Sequence, residues 1–340
     1  MPHTVPDFIK ALMNPEHYPH PVEQVKLIQT HISYVLIAGA FVYKVKKPVN
    51  FGFLDFSSLD KRKHFCEEEL KLNRRLCPSI YLEVVPVKHS EKGYSISGPG
   101  ETIDYCVKMI HMPDKCMMGN VIAAGQLNKK HIDAIVEVLE PFYATALTSD
   151  EINQNGNAEA IGVNVIENFT QTEQYIGCSA LSQAEFDAIS SYSRLFLEKK
   201  HVFERRIALG KIRDCHGDLH SANICLADQV YIYDCIEFNT RFRYCDIASD
   251  LAFLAMDLDY NNLQELSAYL INRYIEDSGD TELNEVLNFY KCYRASVRGK
   301  IGLLTAHEPE VDEETRETAM KQATQYYLLA QQYARTCKAA

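Results

Sequence analysis

The chain has 340 residues, 46% of them hydrophobic and 24% charged, values of a globular protein long enough for about two compact domains with their own cores. Its 46 acidic against 35 basic residues leave a net charge of −11, which argues against a general binder of nucleic acid or anionic membranes. From eleven cysteines with no C-x-x-C pair, no leader-like start in MPHTVPDFIKAL and no apolar run near the roughly twenty residues of a membrane span, we expect free thiols in a soluble, cytoplasmic protein.

Residues 1–21 are proline-rich and read as an N-terminal arm, with a short amphipathic piece at 8–13. Runs at 25–29, 34–37 and 41–46 are β-prone, broken by Thr30-His31-Ile32-Ser33 and Ala38-Gly39-Ala40, and predict three meandering strands. Alternation on the third strand puts Phe41, Tyr43 and Val45 on one face and Val42, Lys44 and Lys46 on the other. A helix is predicted over 59–76, capped by Ser57 or Ser58 and carrying Glu67, Glu68 and Glu69. Strands follow at 81–87, 94–96 and 102–109, and the last runs into Ile110-His111-Met112-Pro113. That linker, Ile110 to Met112, reads as a hinge between lobes.

Beyond Asp114 the pattern turns helical, over 128–147 with a kink or division expected at Pro141, then 158–174 and 182–207. Arg205 and Arg206 are expected in ion pairs. Asp246 and Asp250 share a face near a helix start, where capping and the dipole favour carboxylates. Helices at 288–304 and 312–334 close the chain, the first with Arg294 and Arg298 on one face. Paired guanidinium groups bind phosphate or carboxylate on a substrate, and a salt-bridged helix face is the competing account.

The densest chemistry lies in Cys215-His216-Gly217-Asp218-Leu219-His220-Ser221-Ala222-Asn223, with Asp234 eleven residues further on. Runs at 224–226 and 230–233 predict a hairpin whose turn is centred between Asp228 and Gln229, a register that pairs Asn223 with Asp234. Opposed residues stand about 4.5 to 5.5 Å apart at Cβ, so an amide oxygen and a carboxylate there can hold a hard cation, with Mg²⁺ favoured by the all-oxygen ligands. Asp218, on the preceding loop, is placed to accept a proton from, or orient, an attacking hydroxyl. Glu237 follows Asp234 by three and is a candidate for the metal or a substrate hydroxyl. Cysteines at 215, 225, 235 and 245 recur every ten residues in apolar surroundings and read as buried thiols.

An aspartate, an asparagine five residues on and then a metal-binding aspartate is a variant of the kinase catalytic-loop pattern. With His-Gly-Asp at 216–218 and Asp-Cys-Ile-Glu at 234–237, it resembles the aminoglycoside phosphotransferase and choline kinase group of small-molecule kinases. CHGDLHSANI and YDCIEFNTRFRYCDIASDLAFLAMDL look closer still to the bacterial "aminoglycoside phosphotransferase family enzyme" branch. The resemblance is specific over these forty-odd residues. It implies an α+β, bilobal protein-kinase-like fold: a 22–113 N-lobe with an antiparallel sheet and one helix, and a larger, mainly helical 114–340 C-lobe. It also implies ATP, with GTP as the alternative, Mg²⁺, and a small-molecule hydroxyl acceptor. Lys44 matches the family's phosphate-binding strand lysine, with Lys46 the alternative, and Glu69 its glutamate partner, with Glu68 the alternative. Ser33, Ile110 and Met112 join the nucleotide site, Asn223 and Asp234 the metal, and His216 and Asp250 support the loop. Tyr143 replaces what is commonly a histidine in relatives.

Nucleotidyl transfer, or nucleotide binding without turnover, is the alternative on the same fold. A zinc hydrolase built on His216 and His220 lacks an evident third ligand, and Gly217 disfavours a helix between them. Relatives in the branch often carry a second, P-loop kinase domain. No G-x-x-x-x-G-K-[ST] occurs in this sequence, which is thus expected to be a stand-alone member or a piece of a longer one.

Overall fold

The computed structural model describes residues 5–309 and 311–336, and the chain divides into two compact units. The first takes in the chain up to Asn120 together with Asn223–Thr240, and the second takes in Val121–Ala222 and the chain from Arg241 onward.

In the first unit a short helix α1 (Asp7–Ala11) precedes the strands β1 (Val25–Gln29), β2 (Ser33–Ala38) and β3 (Phe41–Lys46). Helix α2 (Leu59–Asn73) follows, then β4 (Tyr81–Ser90), β5 (Gly93–Ile96) and β6 (Glu101–Ile110). All six strands pair antiparallel in the order β1-β2-β3-β6-β4-β5. Tyr43 and Val45 on one side of β3 are fully buried with Tyr34, Leu36, Ile9 and Leu12. The segment that reads as an arm therefore packs on the sheet, and each such buried side chain contributes about 1.5 to 3 kcal/mol of apolar transfer. Ser58 caps α2 by accepting from the Lys61 N–H at 3.3 Å. This helix ends at Asn73 rather than Leu76, and the interval before Pro78 is turn. A small hairpin, Ile224–Leu226 against Val230–Ile232, belongs to the same unit.

After α3 (Met118–Ala123) come α4 (Lys129–Thr145), α5 (Asp150–Asn153), α6 (Ala158–Thr172), α7 (Gln183–Leu197) and α8 (Lys200–Ala208). Then follow α9 (Thr240–Arg243), α10 (Ile247–Tyr260), α11 (Gln264–Ser278), α12 (Leu283–Ala306) and α13 (Glu313–Thr336). Pro141 lies inside α4 without dividing it. Its missing N–H removes one helical hydrogen bond, while the buried stripe of Ile132, Ile135, Val136 and Leu139 and the Asn128–His131 capping box hold the helix. The single helix expected over 182–207 is two, α7 and α8, separated at Glu198–Lys199. In α10 every residue from Ile247 to Leu258 is buried, which makes it the centre of the second unit's core. No helix among the described residues is long and apolar enough to cross a membrane.

Candidate active site

The first unit contains a chain of buried charges. Lys44 and Lys46 share a face of β3, opposite Val35 and Ser33 of β2. Both reach Glu69 of α2: Lys44 Nζ lies 2.9 Å from Oε1 and Lys46 Nζ lies 2.6 Å from Oε2. Burial opposes the ionised form of Glu69, but the two lysines outweigh it and lower its pKa to about 2. Glu68 instead pairs with Lys71 at 3.2 Å on the outer side of α2. One glutamate thus serves both strand lysines.

Lys44 also donates to Oδ1 of Asp234, and Lys46 to Oε1 of Glu237. Burial opposes both ammonium groups, yet their carboxylate neighbours keep both pKa values raised. Asp234 sits at φ +62°, in the left-handed region that non-glycine residues rarely occupy. Its flanks are fixed: its N–H donates to the Tyr81 hydroxyl at 3.3 Å, and the Cys235 N–H donates to Asn73 Oδ1 at 2.9 Å. Asn73 Nδ2 donates in turn to the Glu69 carbonyl at 2.8 Å, tying that bend to α2.

The hairpin register differs from expectation by one residue. Leu226 pairs with Val230 and Ile224 with Ile232, so Asn223 stands opposite Tyr233, whose N–H donates to the Asn223 carbonyl at 3.0 Å. The reason is the loop: Ala227, Asp228 and Gln229 form a three-residue connection centred on Asp228. Asp234 is therefore the residue after the partner of Asn223. Asn223 is buried, whereas 43% of the Asp234 side chain is exposed.

Where β6 ends, the His111 N–H donates to the Ala40 carbonyl at 2.9 Å, so that donor of the expected hinge is already used. Val42, Ile110, Met112, Met117 and Tyr233 pack against a cluster that includes Val107 and Met109, giving an apolar wall beside the lysine face. Ser33 is fully buried, and its hydroxyl has no hydrogen-bond partner among the described residues.

In the second unit the loop 215–222 is held from several sides. Asp250 accepts from the His216 N–H at 2.7 Å and the Gly217 N–H at 2.9 Å, while the Tyr143 hydroxyl donates to it at 3.2 Å. Gly217 has φ +86°, which permits the turn. Asp257 accepts from the Ser221 N–H at 2.9 Å. Seven residues separate Asp250 from Asp257, two helical turns of α10, so one face of that helix grips both ends of the loop. That spacing is visible in the sequence, but Asp257 was not among the expected site residues.

Asp218 projects from this loop with 36% of its side chain exposed and His220 Nε2 3.4 Å from its Oδ2. Burial raises its pKa, but His220, Arg298 and His216 outweigh burial and hold it well below the usual carboxylate range. Arg294 is buried, and its guanidinium donates to the carbonyls of Gly217 at 3.1 Å and Ser249 at 3.3 Å, so these donors join the loop backbone to the first turn of α10. Arg298 lies over the Tyr326 ring at 5.6 Å. Arg206 is locked between Asp246 and Asp280, and Arg205 pairs with Glu282 and Glu285. His216 and His220 each accept a loop N–H at Nδ1, and no group of three metal-competent His, Cys, Asp or Glu side chains occurs among the described residues.

The chain is 32% identical over 287 residues to uncharacterized proteins of Mycobacterium tuberculosis and Mycobacterium bovis, an alignment that covers 83% of this chain. It spans about half the length of these relatives, 56% of each. No family model matches. Among solved structures, a choline/ethanolamine kinase family protein from Mesorhizobium loti superposes with TM-score 0.51 at 12% identity, covering 97% of this chain and 98% of that one. Amicoumacin kinase, solved with AMP-PNP and Ca²⁺, superposes with TM-score 0.52 at 10% identity, covering 94% of this chain and 91% of that one. The chain has the α+β, protein-kinase-like fold of these small-molecule kinases.

Proposed function

We propose that this protein is an ATP-dependent phosphotransferase that moves the γ-phosphate to a hydroxyl of a small molecule. The observation that carries the reading is the Lys44 ammonium shared between Glu69 and Asp234, because phosphoryl transfer needs a lysine on the phosphates and a carboxylate on their metal ion. Lys44 has 12% of its side chain exposed and Lys46 only 1%, which favours Lys44 as the lysine that meets nucleotide. The apolar wall with Val42, Met109, Ile110 and Met112 suits a nucleobase, adenine in our reading with guanine as the alternative. Ser33, paired with Lys46 and fully buried, is not a phosphate contact in our reading.

The oxygen donors of Asp234 and Asn223 fit a divalent cation, Mg²⁺ in our reading, and the lysine ammonium already on Asp234 is a stand-in for its charge. When bound, that ion neutralises phosphate charge. Asp218 orients the acceptor hydroxyl. Its depressed pKa makes it a weak base, suited to accepting a hydrogen bond first and the proton late in transfer. Asp250 and His216 keep the loop in shape. Arg294 joins them rather than the substrate wall, while Arg298, near Asp218, is retained as an acceptor-side group. The ten described cysteines are all free, which supports a cytoplasmic setting.

ADP release with a panel of hydroxyl compounds, with and without Mg²⁺, tests the function. Release of pyrophosphate instead of ADP would assign adenylyl transfer, and neither product together with no nucleotide binding would end both readings.

A further inference from the structure

Asp234 and Glu237 are three residues apart in sequence, and ion pairs connect them the long way round: Asp234 to Lys44, Lys44 to Glu69, Glu69 to Lys46, Lys46 to Glu237. The backbone from 234 to 237 closes the ring. Exposure divides its two ends. At Asp234 and Lys44 the side chains are 43% and 12% exposed, while at Lys46 and Glu237 they are 1% and 4% exposed, with the Phe56 ring 4.8 Å from the Lys46 ammonium. A kinase pair of one lysine and one glutamate needs only the open end. The closed end is shut off from solvent, yet it places two charges where desolvation is costly and where apolar side chains would pack more simply.

We infer that Lys46 and Glu237 are a positioning pair, which anchors the bend after Asp234 to β3 and α2 and so fixes the Asp234 carboxylate for its cation. Glu237 is then neither a metal ligand nor a substrate contact, and Lys46 does not touch phosphate. Asp234 needs such an anchor because its left-handed backbone is held only by its surroundings. The Cys235 N–H on Asn73 secures one side of the bend, and Glu237 on Lys46 secures the other. The loop also closes over this end: the Asn239 amide donates to the Phe53 carbonyl at 3.0 Å, and Phe238 packs edge-on against Phe56 with ring centroids 6.5 Å apart.

The inference rests on the phosphotransfer reading, and the test keeps the two apart. Replacing both partners with apolar residues of similar length, Lys46→Met with Glu237→Met, avoids leaving one charge buried alone. ADP binding is measured in EDTA and again with Mn²⁺, and amide hydrogen exchange is followed over 233–239. The expected result is ADP affinity in EDTA close to wild type, faster exchange over 233–239, and loss of about 10- to 100-fold in the Mn²⁺-dependent gain in affinity, the usual size for an outer partner of a metal ligand. A purely structural role would weaken both affinities together. An unchanged Mn²⁺-dependent gain overturns the positioning role and leaves phosphotransfer standing. A wild-type protein that gains nothing from Mn²⁺ overturns phosphotransfer, and the inference with it.

Discussion

The Lys44 ammonium donates to the Asp234 carboxylate while its other ion-pair partner, Glu69, holds it from behind at 2.9 Å. A lysine thus occupies the oxygen that a divalent cation would claim, and in our reading the two compete until nucleotide phosphates draw Lys44 away. Lys44→Met is expected to abolish turnover and yet tighten Mn²⁺ binding in the absence of nucleotide by about tenfold, the equivalent of roughly 1.4 kcal/mol. Titration of Mn²⁺ followed by electron paramagnetic resonance measures this directly. Equal or weaker affinity in the variant would show that the lysine does not hold the cation's place.

Asp218→Asn keeps the shape of the side chain and removes its charge. Turnover should fall by about 10²- to 10⁴-fold, the usual contribution of a positioned acid–base group. ADP binding should stay within a few-fold of wild type, because Lys44, Glu69 and Asp234 belong to the other compact unit. Steady-state kinetics beside calorimetry of ADP binding separates the two effects, and unchanged turnover would remove Asp218 from the reaction.

Arg206 is buried on all sides, with Nη2 2.7 Å from one oxygen of Asp246 and 2.9 Å from one of Asp280, and Nε 2.9 Å from the second oxygen of Asp246. Among the described residues, Arg206→Met would leave Asp246 with its capping bond from the Ala248 N–H and Asp280 with Lys211 at 3.5 Å. Breaking one side of a buried pair costs about 3 to 5 kcal/mol. Urea unfolding should report a loss of that size, and a loss below about 1 kcal/mol would mean that water reaches the two carboxylates.

Much of the fold is legible in the sequence alone. Period-two alternation placed both lysines on one face of β3, and the order of lysine, glutamate, aspartate, asparagine and aspartate pointed to the kinase fold. Three features were hidden for physical reasons. The register at Asn223 depends on whether the connection has two central residues or three, and Ala227-Asp228-Gln229 carries no glycine to decide it. Arg294 and Arg298 share a helix face, but spacing cannot tell a guanidinium aimed at a ligand from one aimed at the Gly217 carbonyl. Glu237 reads as a site carboxylate from its nearness to Asp234 in sequence, and the sequence does not reveal its ion pair with Lys46, 191 residues away along the chain. Non-local ion pairs of that kind leave no periodic signal.

Lys300 supplies a test in which pH itself is the variable. Its ammonium donates to the Gln171 amide oxygen at 2.9 Å, and burial lowers its pKa to about 8, with Glu167 opposing the shift and Arg241 adding to it. An unfolded lysine titrates near 10.4, so between about pH 8 and 10.4 the unfolded chain binds the extra proton and the folded chain does not. Stability from this group must therefore rise with pH across that window, the reverse of a lysine held in an ion pair. Lys300→Met removes the titration. The difference in urea midpoint between wild type and variant should accordingly shift in favour of wild type from pH 8 to pH 10, and a difference that stays constant would show that Lys300 keeps its proton in the folded protein.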